Sequence, residues 1–504
     1  MKPLVVAMLR SIVVTLALLT GVGASGAEGK PNIVYILADD LGYGDVQCLN
    51  PQRGKIRTPH LDRLAAQGMT FTDAHSGSSV CTPTRYGLLT GRYAWRTRLQ
   101  SGVLDGGNDE PLIAAGRLTV GGFLREQGYA TACLGKWHLG FTAELPAAAE
   151  KPGAGKKGKG KMGEGGLPVG AKIVGGPVTR GFDYFWGCSN ARTMSALIEN
   201  DRVIERIEPV AMLPRLGRRA AEYVNERAAG ARAGRPFFLY LPLTAPHTPI
   251  VPAAEWQGRS GLGDYGDFVM QTDAVVGEVL AALERNGLTD NTLVIFTADN
   301  GCSPAAGTAK LERAGHFASG AFRGYKADIW EGGHRVPFLV RWPAKVVAGS
   351  RCAVTICHTD LLATVAEILQ VRLPENAGED SFSFLPELRG TGRTLRASTV
   401  HHSIQGRFAI REGNWKLELC AGSGGWGAPG EATARKEGLP EFQLYDLARD
   451  LAETNNVQSA NAETVQRLVK ELQRIVAEGR STPGARQGND VAVDIFKRGA
   501  GGGK

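Results

Sequence analysis

Residues 33–40, IVYILADD, and residues 293–300, LVIFTADN, decide the predicted fold. In each stretch an unbroken apolar run ends at a pair of side chains that bear oxygen atoms. Such runs are typical of strands buried on both faces of a parallel sheet. Further apolar runs lie at 130–134 and 237–241, and helical patterns lie at 58–67, 268–285 and 359–370. The sequence therefore predicts an α/β fold with a large, mostly parallel sheet flanked by helices.

The N-terminal residues differ from the rest of the chain. Residues 1–27 combine Lys2 and Arg10 with a short apolar run and small residues before Ala27. This pattern predicts a secretory signal peptide. No later stretch has the roughly 18 consecutive apolar residues of a membrane span. We therefore expect an exported protein, periplasmic or extracellular, with no membrane span after cleavage.

The rest of the chain divides into two predicted domains. Residues 28–374 form the main domain, which an insertion at about 143–172 interrupts. The centre of this insertion, KPGAGKKGKGK at 151–161, cannot build a core and is expected to be flexible. Residues 375–504 predict a smaller C-terminal α+β domain with a disordered tail from Gly499. Its signals are strands at 408–410 and 415–419, a glycine-rich loop at 421–432 and a helix near 462–478.

Charge and cysteine content restrict the classes of function. The formal net charge of +8 falls to +6 when Lys2 and Arg10 leave with the signal peptide, because that segment contains no acidic residue. A cationic surface of this kind suits anionic small molecules or glycans, and no nucleic-acid-binding motif is present. The eight cysteines lack the spacing of a disulfide scaffold or zinc ribbon, and Cys352 with Cys357 is the one bridge that the sequence suggests.

The two opening stretches also predict a metal site. Asp39 and Asp40 follow the first strand, and Asp299 and Asn300 follow the other. Ligands of parallel sheets bind beyond the carboxyl ends of the strands, so these pairs are expected to meet at one edge. Three carboxylates and an amide suit Ca²⁺ or Mg²⁺ better than zinc. For either pair alone, the alternative is that Asp and Asn merely end a strand and begin a turn.

Basic groups follow the other two predicted strands. Lys136 and His138 come after the run at 130–134, and His247 comes after the run at 237–241. A single histidine is more often structural than catalytic. Four strand ends that each bring an acid, an amide, a lysine or a histidine predict one cationic, metal-lined pocket.

The pentapeptide CTPTR at 81–85 adds a candidate nucleophile. If Thr82 caps a helix and Pro83 lies in its first turn, Cys81 and Arg85 lie near the positive end of the helix dipole. A thiolate is favoured there. Hard oxygen ligands beside a soft sulfur are nevertheless an odd combination. The mismatch indicates that Cys81 does not act as sulfur.

With these motifs the chain resembles the formylglycine-dependent sulfatases of the alkaline phosphatase superfamily, from about Pro31 to Trp342. CTPTR matches their signature, in which the cysteine is oxidised to formylglycine by a maturation enzyme. GKWHLG at 135–140 resembles their second signature. The resemblance implies a formylglycine at position 81 and one Ca²⁺, with Mg²⁺ as the alternative. The implied metal ligands are Asp39, Asp40, converted Cys81, Asp299 and Asn300.

The resemblance also implies roles for the remaining site residues. Lys136, His247 and Lys326, the last within RGYKADIWEGGHRVP at 323–337, would bind the sulfate. His247, together with Lys326, would protonate the leaving oxygen. Arg85 would steady the nucleophile, and His138 would accept the proton whose transfer regenerates it. Asp299 would help to deprotonate the nucleophile.

Some positions depart from the family pattern or match it loosely. Ala318 stands where the family often has proline, and Asp450-Leu451 stands where Asp-Pro is common, but neither is a predicted ligand. In the loosely matching segment 181–195 a structural role is favoured over substrate contact for Ser189, Asn190 and Arg192. The same interpretation applies to three further histidines, which are His316, His334 and His401.

The implied activity is hydrolysis of a sulfate monoester. Export, a cationic surface and a second domain favour a carbohydrate sulfate, and a small aryl sulfate also fits. A phosphate or phosphonate monoester hydrolase is the main rival, although the chain has one oxygen-ligand set and not the extra ligands of two-metal phosphatases. A non-enzymatic alternative is a sulfated-glycan-binding protein in which Cys81 stays unconverted.

Overall fold

The computed structural model describes residues 29–106, 108–146, 167–392 and 396–497. The predicted signal peptide, the lysine-rich segment 151–161 and the tail from Gly499 lie outside these residues. Among the described helices, none combines the length and the apolar character required to cross a bilayer.

The described residues form two large sheets and one pair of short strands. The strands are β1 (Asn32–Ala38), β2 (Met69–Phe71), β3 (Ala74–His75), β4 (Ala130–Lys136), β5 (Thr142–Glu144), β6 (Lys172–Val174), β7 (Tyr184–Cys188), β8 (Ala196–Glu199), β9 (Arg202–Arg206), β10 (Phe237–Pro242), β11 (Thr292–Ala298), β12 (Phe338–Arg341), β13 (Ser350–Cys352), β14 (Ile356–Cys357), β15 (Thr399–His402), β16 (Phe408–Glu412), β17 (Trp415–Glu418) and β18 (Gln443–Asp446).

Helices lie between these strands. They are α1 (Pro59–Ala66), α2 (Cys81–Thr90), α3 (Val120–Glu126), α4 (Pro209–Arg232), α5 (Asp264–Arg285), α6 (Thr308–Arg313), α7 (Glu331–His334), α8 (Leu361–Ile368), α9 (Leu385–Leu388), α10 (Glu431–Lys436) and α11 (Ala462–Glu478). The predicted helices at 58–67, 268–285 and 462–478 are confirmed as α1, α5 and α11. The pattern at 359–370 corresponds to a short 3₁₀ turn followed by α8.

The main sheet has the order β13-β2-β12-β11-β1-β10-β4-β7-β8-β9-β6-β5. Its five central strands, from β11 to β7, are parallel, whereas β12 and the strands beyond β7 pair antiparallel. The α/β prediction is confirmed, and the parallel part is the centre of a mixed sheet. The short outer strands escaped prediction because they lack the long apolar runs of strands covered on both faces.

Side chains of β1 alternate between two cores. Val34, Ile36 and Ala38 pack with α1, α4 and α5 on one face of the sheet. Ile33 and Tyr35 pack with α2, α3 and α8 on the other. Because successive side chains of a strand point to opposite faces, a strand covered on both faces needs apolar residues at every position. The central sheet is therefore rigidly enclosed, and its strand ends are fixed.

The C-terminal part contains the antiparallel sheet β15-β16-β17-β18 and the helix α11. Leu468, Leu472 and Ile475 of α11 pack on this sheet. Tyr93 and Trp95 of the main domain enter the same core, so the two parts share buried apolar surface. A small C-terminal α+β unit is confirmed.

Two details differ from the sequence predictions. Cys352 and Cys357 are both free thiols, so the suggested bridge is wrong. Cys352 belongs to β13, which pairs with β2, and Cys357 belongs to β14, which pairs with β3, so the two strands do not pair with each other. In addition, β5 and β6 pair antiparallel, from Thr142↔Val174 to Glu144↔Lys172, so both ends of the predicted flexible insertion are strands at the sheet edge.

Buried histidine predicts that acid destabilises the fold. Burial, together with the positive charge of Lys497, lowers the pKa of His402 to about 3. The unfolded chain, with a histidine pKa near 6.5, binds more protons below that pH than the folded chain does. The stability that depends on neutral His402 is therefore complete above about pH 6.5 and is lost as the pH falls toward 3.

We expect this single group to reduce the free energy of unfolding by about 1.4 kcal/mol per pH unit below pH 6.5. Chemical denaturation between pH 7.5 and 5 should show a shallower pH slope for His402→Gln than for the unmodified chain. Equal slopes for the two proteins would contradict the buried neutral state. A uniform loss of stability at all pH values is a packing effect and does not alter the comparison of slopes.

Candidate active site

The pairing of β1 with β11 brings the two acidic strand ends together. The strands are parallel and in register, with Ala38 opposite Ala298. The backbone N–H of Asp299 donates to the carbonyl of Ala38 at 3.1 Å, and the N–H of Asp40 donates to Oδ1 of Asp299 at 3.1 Å. Asp40 has φ 67°, a left-handed conformation that turns the chain directly after the strand. The register of β1 and β11 therefore places Asp39 and Asp40 next to Asp299 and Asn300, as the sequence predicted.

Two lysines neutralise the first pair of carboxylates. Lys136 ends β4, and its Nζ lies 2.7 Å from Oδ2 of Asp39. Lys326 comes from the loop before α7, and its Nζ lies 2.6 Å from Oδ1 of Asp40. All four side chains are buried. Each carboxylate thus has its own ammonium partner, which compensates the cost of removing both charges from water.

Arg85 neutralises the third carboxylate. Its Nη2 and Nε lie 2.7 and 3.2 Å from Oδ2 of Asp299, and its Nη1 donates to the carbonyl of Lys136 at 3.0 Å. The guanidinium is completely buried. Arg85 therefore holds Asp299 and the end of β4 in place. In this structure it lies behind the cluster and does not line the cavity described below.

The cations determine the protonation state of the acids. Burial by itself raises the pKa of Asp39, but Lys136, His247 and Arg85 outweigh this effect, so the pKa lies below its usual value. The pKa of Asp40 is also lowered, because Lys326 and His247 outweigh its burial. Both side chains are carboxylates at neutral pH, which is the form that a cation requires.

Cys81 lies in the first turn of α2, beside the cluster. The predicted cap is wrong: Val80 precedes the helix as N-cap, and the hydroxyl of Thr82 instead accepts from the N–H of Leu104. The Sγ of Cys81 lies 3.7 Å from Oδ1 of Asp39 and 3.6 Å from Nζ of Lys326. Burial raises the pKa of the Cys81 thiol to about 12, and the lysines offset this only in part. At neutral pH the protonated thiol therefore prevails over the thiolate in an unmodified Cys81.

The donor atoms fit a hard cation. The ligand atoms of Asp39, Asp40, Cys81 and His247 all lie within 4.8 Å of one another. The amide of Asn300 donates to Oδ1 of Asp40 at 2.8 Å, while its own Oδ1 is buried without a hydrogen-bond partner in the described structure. A buried amide oxygen in this state is costly unless a cation binds it. Carboxylate and amide oxygens are the ligands that Ca²⁺ and Mg²⁺ prefer.

Two predicted histidines face the same space. Nδ1 of His247 lies 2.5 Å from the carbonyl of Thr248, so this nitrogen donates and Nε2, 3.7 Å from Oδ2 of Asp40, is free for proton transfer. Nε2 of His138 lies 2.8 Å from the carbonyl of Leu104, so it donates, and the buried Nδ1 has no hydrogen-bond partner among the described residues. Burial lowers the pKa of both rings, which leaves an acceptor nitrogen on each.

These groups surround a cavity of about 210 Å³. Of the predicted residues, it is lined by Cys81, Lys136, His138, His247 and Lys326. Asn190 and Arg192 also line it, so the structural role expected for them is incomplete. Sequence analysis missed several further lining residues, which are Val80, Val103, Leu104, Asp105, Ala191, Ile404 and Trp426. An aromatic residue within the glycine-rich loop at 421–432 was the one signal that pointed to Trp426.

Other candidate residues lie away from the cavity. Ser189 donates to the carbonyl of Gly106, and His316 contacts Asp45 at 2.8 Å. His334 stacks on His401, with ring centroids 3.9 Å apart in the buried region next to the C-terminal sheet. These contacts agree with the structural role expected for Ser189, His316, His334 and His401.

Comparison with known proteins identifies the family. The Sulfatase family model matches residues 31–371. The chain belongs to the sulfatase family. It is 33% identical over 489 residues to the N-acetylgalactosamine-6-O-sulfatase of Bacteroides thetaiotaomicron, which covers 88% of this chain and 93% of the relative. It is 34% identical over 482 residues to human arylsulfatase A, at 92% and 91% coverage. The chain is therefore a sulfuric ester hydrolase. Members of the sulfatase family generally use formylglycine and a divalent metal.

Solved structures agree with this assignment. One solved structure is that of a Bacteroides thetaiotaomicron protein described in connection with the metabolism of multiple glycosaminoglycans. It is 31% identical to this chain, with a TM-score of 0.75 over 89% of this chain and 99% of that chain. The phosphonate monoester hydrolase of Silicibacter pomeroyi is 18% identical, with a TM-score of 0.58 over 88% and 94%. The second likeness shows a shared fold alone, and fold does not decide between sulfate and phosphonate chemistry.

The carboxylate cluster predicts that a cation stabilises the sulfatase. A ligand that binds only the folded chain, at 100 times its Kd, raises the free energy of unfolding by about 2.7 kcal/mol. We expect added Ca²⁺ to raise the melting temperature of the metal-free protein, and Asp40→Asn to abolish this shift. Glu205→Gln, at an exposed ion pair with Arg215, is the matched control and should keep it. A Ca²⁺-dependent shift that persists in Asp40→Asn would contradict the assigned ligands.

Proposed function

We propose that this sulfatase hydrolyses sulfate esters of carbohydrates, with Cys81 converted to formylglycine and one Ca²⁺ bound by Asp39, Asp40, Asp299, Asn300 and residue 81. When present, the modified residue and the cation supply an oxygen nucleophile and a Lewis acid. The observation that supports this proposal best is the balanced set of three buried carboxylates and three buried cations, of which Lys136 and Lys326 line the cavity. A divalent cation makes such a set net positive, which favours an anionic substrate.

The two lysines are proposed to bind the sulfate. Lys136 approaches the carboxylates from the end of β4 and Lys326 approaches them from the loop before α7, and both line the cavity. Burial lowers the pKa of Lys326, but Asp40 and other acidic groups outweigh it, so this lysine stays protonated. Two fixed ammonium groups can hold two sulfate oxygens and stabilise the negative charge that develops on them. Their rigidity follows from their ion pairs.

The two histidines are proposed to move protons. With Nδ1 bound to the carbonyl of Thr248, His247 can transfer a proton only through Nε2, on the cavity side. The negative charge of a bound sulfate favours the protonated ring, which then donates to the leaving oxygen, with Lys326 nearby. His138 presents the unpaired Nδ1 as an acceptor and serves as the base that restores the nucleophile.

Burial of Cys81 constrains when it can be modified. The residue is 2% exposed, and it lines the same cavity as residues 103–105. A maturation enzyme needs access to this side chain and to the backbone around it. We therefore propose that conversion precedes folding. Export agrees with this order, since the predicted signal peptide at 1–27 directs an unfolded chain across a membrane to the periplasm or the exterior.

The reaction class is tested by paired substrates. The protein purified from its native host should hydrolyse a sulfate monoester faster than the matching phosphate and phosphonate monoesters. Mass spectrometry of the peptide that contains residue 81 should show formylglycine. Faster turnover of phosphate would overturn the sulfatase proposal, and an intact thiol with tight binding of sulfated glycan but no turnover would favour a binding protein.

Loss of either proposed catalytic group should reduce turnover strongly. We expect Cys81→Ala to abolish activity and Lys326→Met to lower kcat by about 100-fold or more, because a fixed charge that stabilises the transition state is lost. Lys310→Met, on the helix α6 and away from the cavity, is the control and should retain full activity. Circular dichroism and melting temperature separate loss of chemistry from loss of folding.

A further inference from the structure

The mouth of the cavity carries three side chains that the hydrolysis of a sulfate ester does not itself require. They are Asp105, Arg192 and Trp426. Trp426 is 54% exposed, although tryptophan usually buries most of its surface. The carboxylate of Asp105 and the guanidinium of Arg192 have opposite charge and line the same cavity. Neither forms an ion pair or a side-chain hydrogen bond with any described residue. Unpaired charges beside an exposed aromatic ring are typical of a binding surface.

The backbones that carry the two charges are fixed by one side chain. The amide Nδ2 of Asn190 donates to the carbonyl of Asp105 at 2.6 Å, and its Oδ1 accepts from the N–H of Arg192 at 2.7 Å. Asn190 is itself buried. Leu104, next to Asp105, is held by the N–H bond to Thr82 and by His138 at its carbonyl. Hydrogen bonds therefore fix the backbones of Asp105 and Arg192, while their charged side chains have no partner among the described residues.

The backbone of Trp426 is hydrogen-bonded to the loop that carries Lys326. Oδ1 of the buried Asp328 accepts from the N–H groups of Trp426 and Gly427 at 3.0 and 2.7 Å, and its Oδ2 accepts from the N–H of Tyr325 at 3.1 Å. Asp328 lies two residues after Lys326. The backbone of Trp426 is thus coupled to the loop that carries a proposed sulfate ligand, although Trp426 belongs to the C-terminal part of the chain.

We propose that Trp426, Asp105 and Arg192 form a glycan subsite that selects a sulfated pyranose with a second negative charge on the neighbouring sugar. This inference rests on the proposed function. The indole face packs against the C–H face of the sugar ring, and the Asp105 carboxylate accepts hydrogen bonds from its hydroxyls. The Arg192 guanidinium pairs with the carboxylate of an adjoining uronic acid, a planar group that matches its fork of N–H donors.

The same three groups discriminate against small aryl sulfates. An aryl ring can pack on Trp426, but it offers Asp105 no hydroxyl and Arg192 no second anion. An unpaired carboxylate beside an anionic substrate also costs free energy, which only a hydroxyl-bearing ligand offsets. Specificity for a glycan therefore resides mainly in Asp105 and Arg192, and Trp426 adds affinity that both classes share in part.

The test compares three substrates of one sulfate-ester class. They are 4-nitrophenyl sulfate, N-acetylgalactosamine 6-sulfate and the disaccharide that links this sugar to a uronic acid. We expect Asp105→Asn to lower the sugar-to-aryl ratio of kcat/KM by about tenfold, the effect of one hydrogen bond to a charged group. Arg192→Gln should lower the disaccharide-to-monosaccharide ratio by about tenfold. Trp426→Ala should raise KM for both sugars by about tenfold.

Controls separate recognition from general damage. Trp256→Ala and Arg449→Ala change residues of the same types outside the cavity and should leave every ratio unaltered. Equal losses on all three substrates, or no loss on any, would overturn the subsite. Binding of the disaccharide to Cys81→Ala, measured by calorimetry with and without Arg192→Gln, tests the subsite without turnover. If Cys81→Ala binds the disaccharide through Arg192 while the wild type cleaves phosphate faster than sulfate, the proposed function fails and the subsite stands.

Discussion

The in-register pairing of β1 with β11 is the constraint on which the site depends. It brings Asp39, Asp40 and Asp299 to one level at the edge of the central sheet, where all three are buried. Three carboxylates cannot share such a volume unless opposite charges accompany them. Lys136, Lys326 and Arg85 provide that compensation from three other segments of the chain. The fold therefore needs these cations for its own integrity before any substrate is considered.

In the proposed function, the same compensation prepares the site for an anionic substrate. Lysines that are held rigidly to neutralise acids are already positioned to meet an anion, so little reorganisation is needed when the substrate binds. The orphaned amide oxygen of Asn300 and the unpaired Nδ1 of His138 have a parallel explanation. In the proposed function both atoms gain partners, a cation for the amide oxygen and a proton for the ring nitrogen.

Sequence analysis could predict the part of the site that follows from strand physics. An apolar run covered on both faces ends where polar groups begin, so IVYILADD and LVIFTADN identify both the strands and the residues beyond them. The start of α2 was predicted wrongly, because cap preference is a local rule and the helix actually begins at Cys81. The suggested Cys352–Cys357 bridge failed for a similar reason, since sequence proximity does not report which strands the two residues join. Neither error changed the placement of Cys81.

The mouth of the cavity could not be predicted because its residues come from distant loops with no periodicity. Asp105, Arg192 and Trp426 meet only through tertiary hydrogen bonds, from Asn190 and from Asp328. This division has a physical consequence. The floor of the site is built from the ends of enclosed strands, where almost any change disturbs the charge balance, whereas the mouth is built from surface loops that tolerate substitution. The reaction can therefore stay constant while the substrate changes. Asp328 is the exception, because its carboxylate accepts from the backbone N–H groups of both Trp426 and Tyr325, so a change there is expected to alter the proposed recognition and the proposed catalysis together.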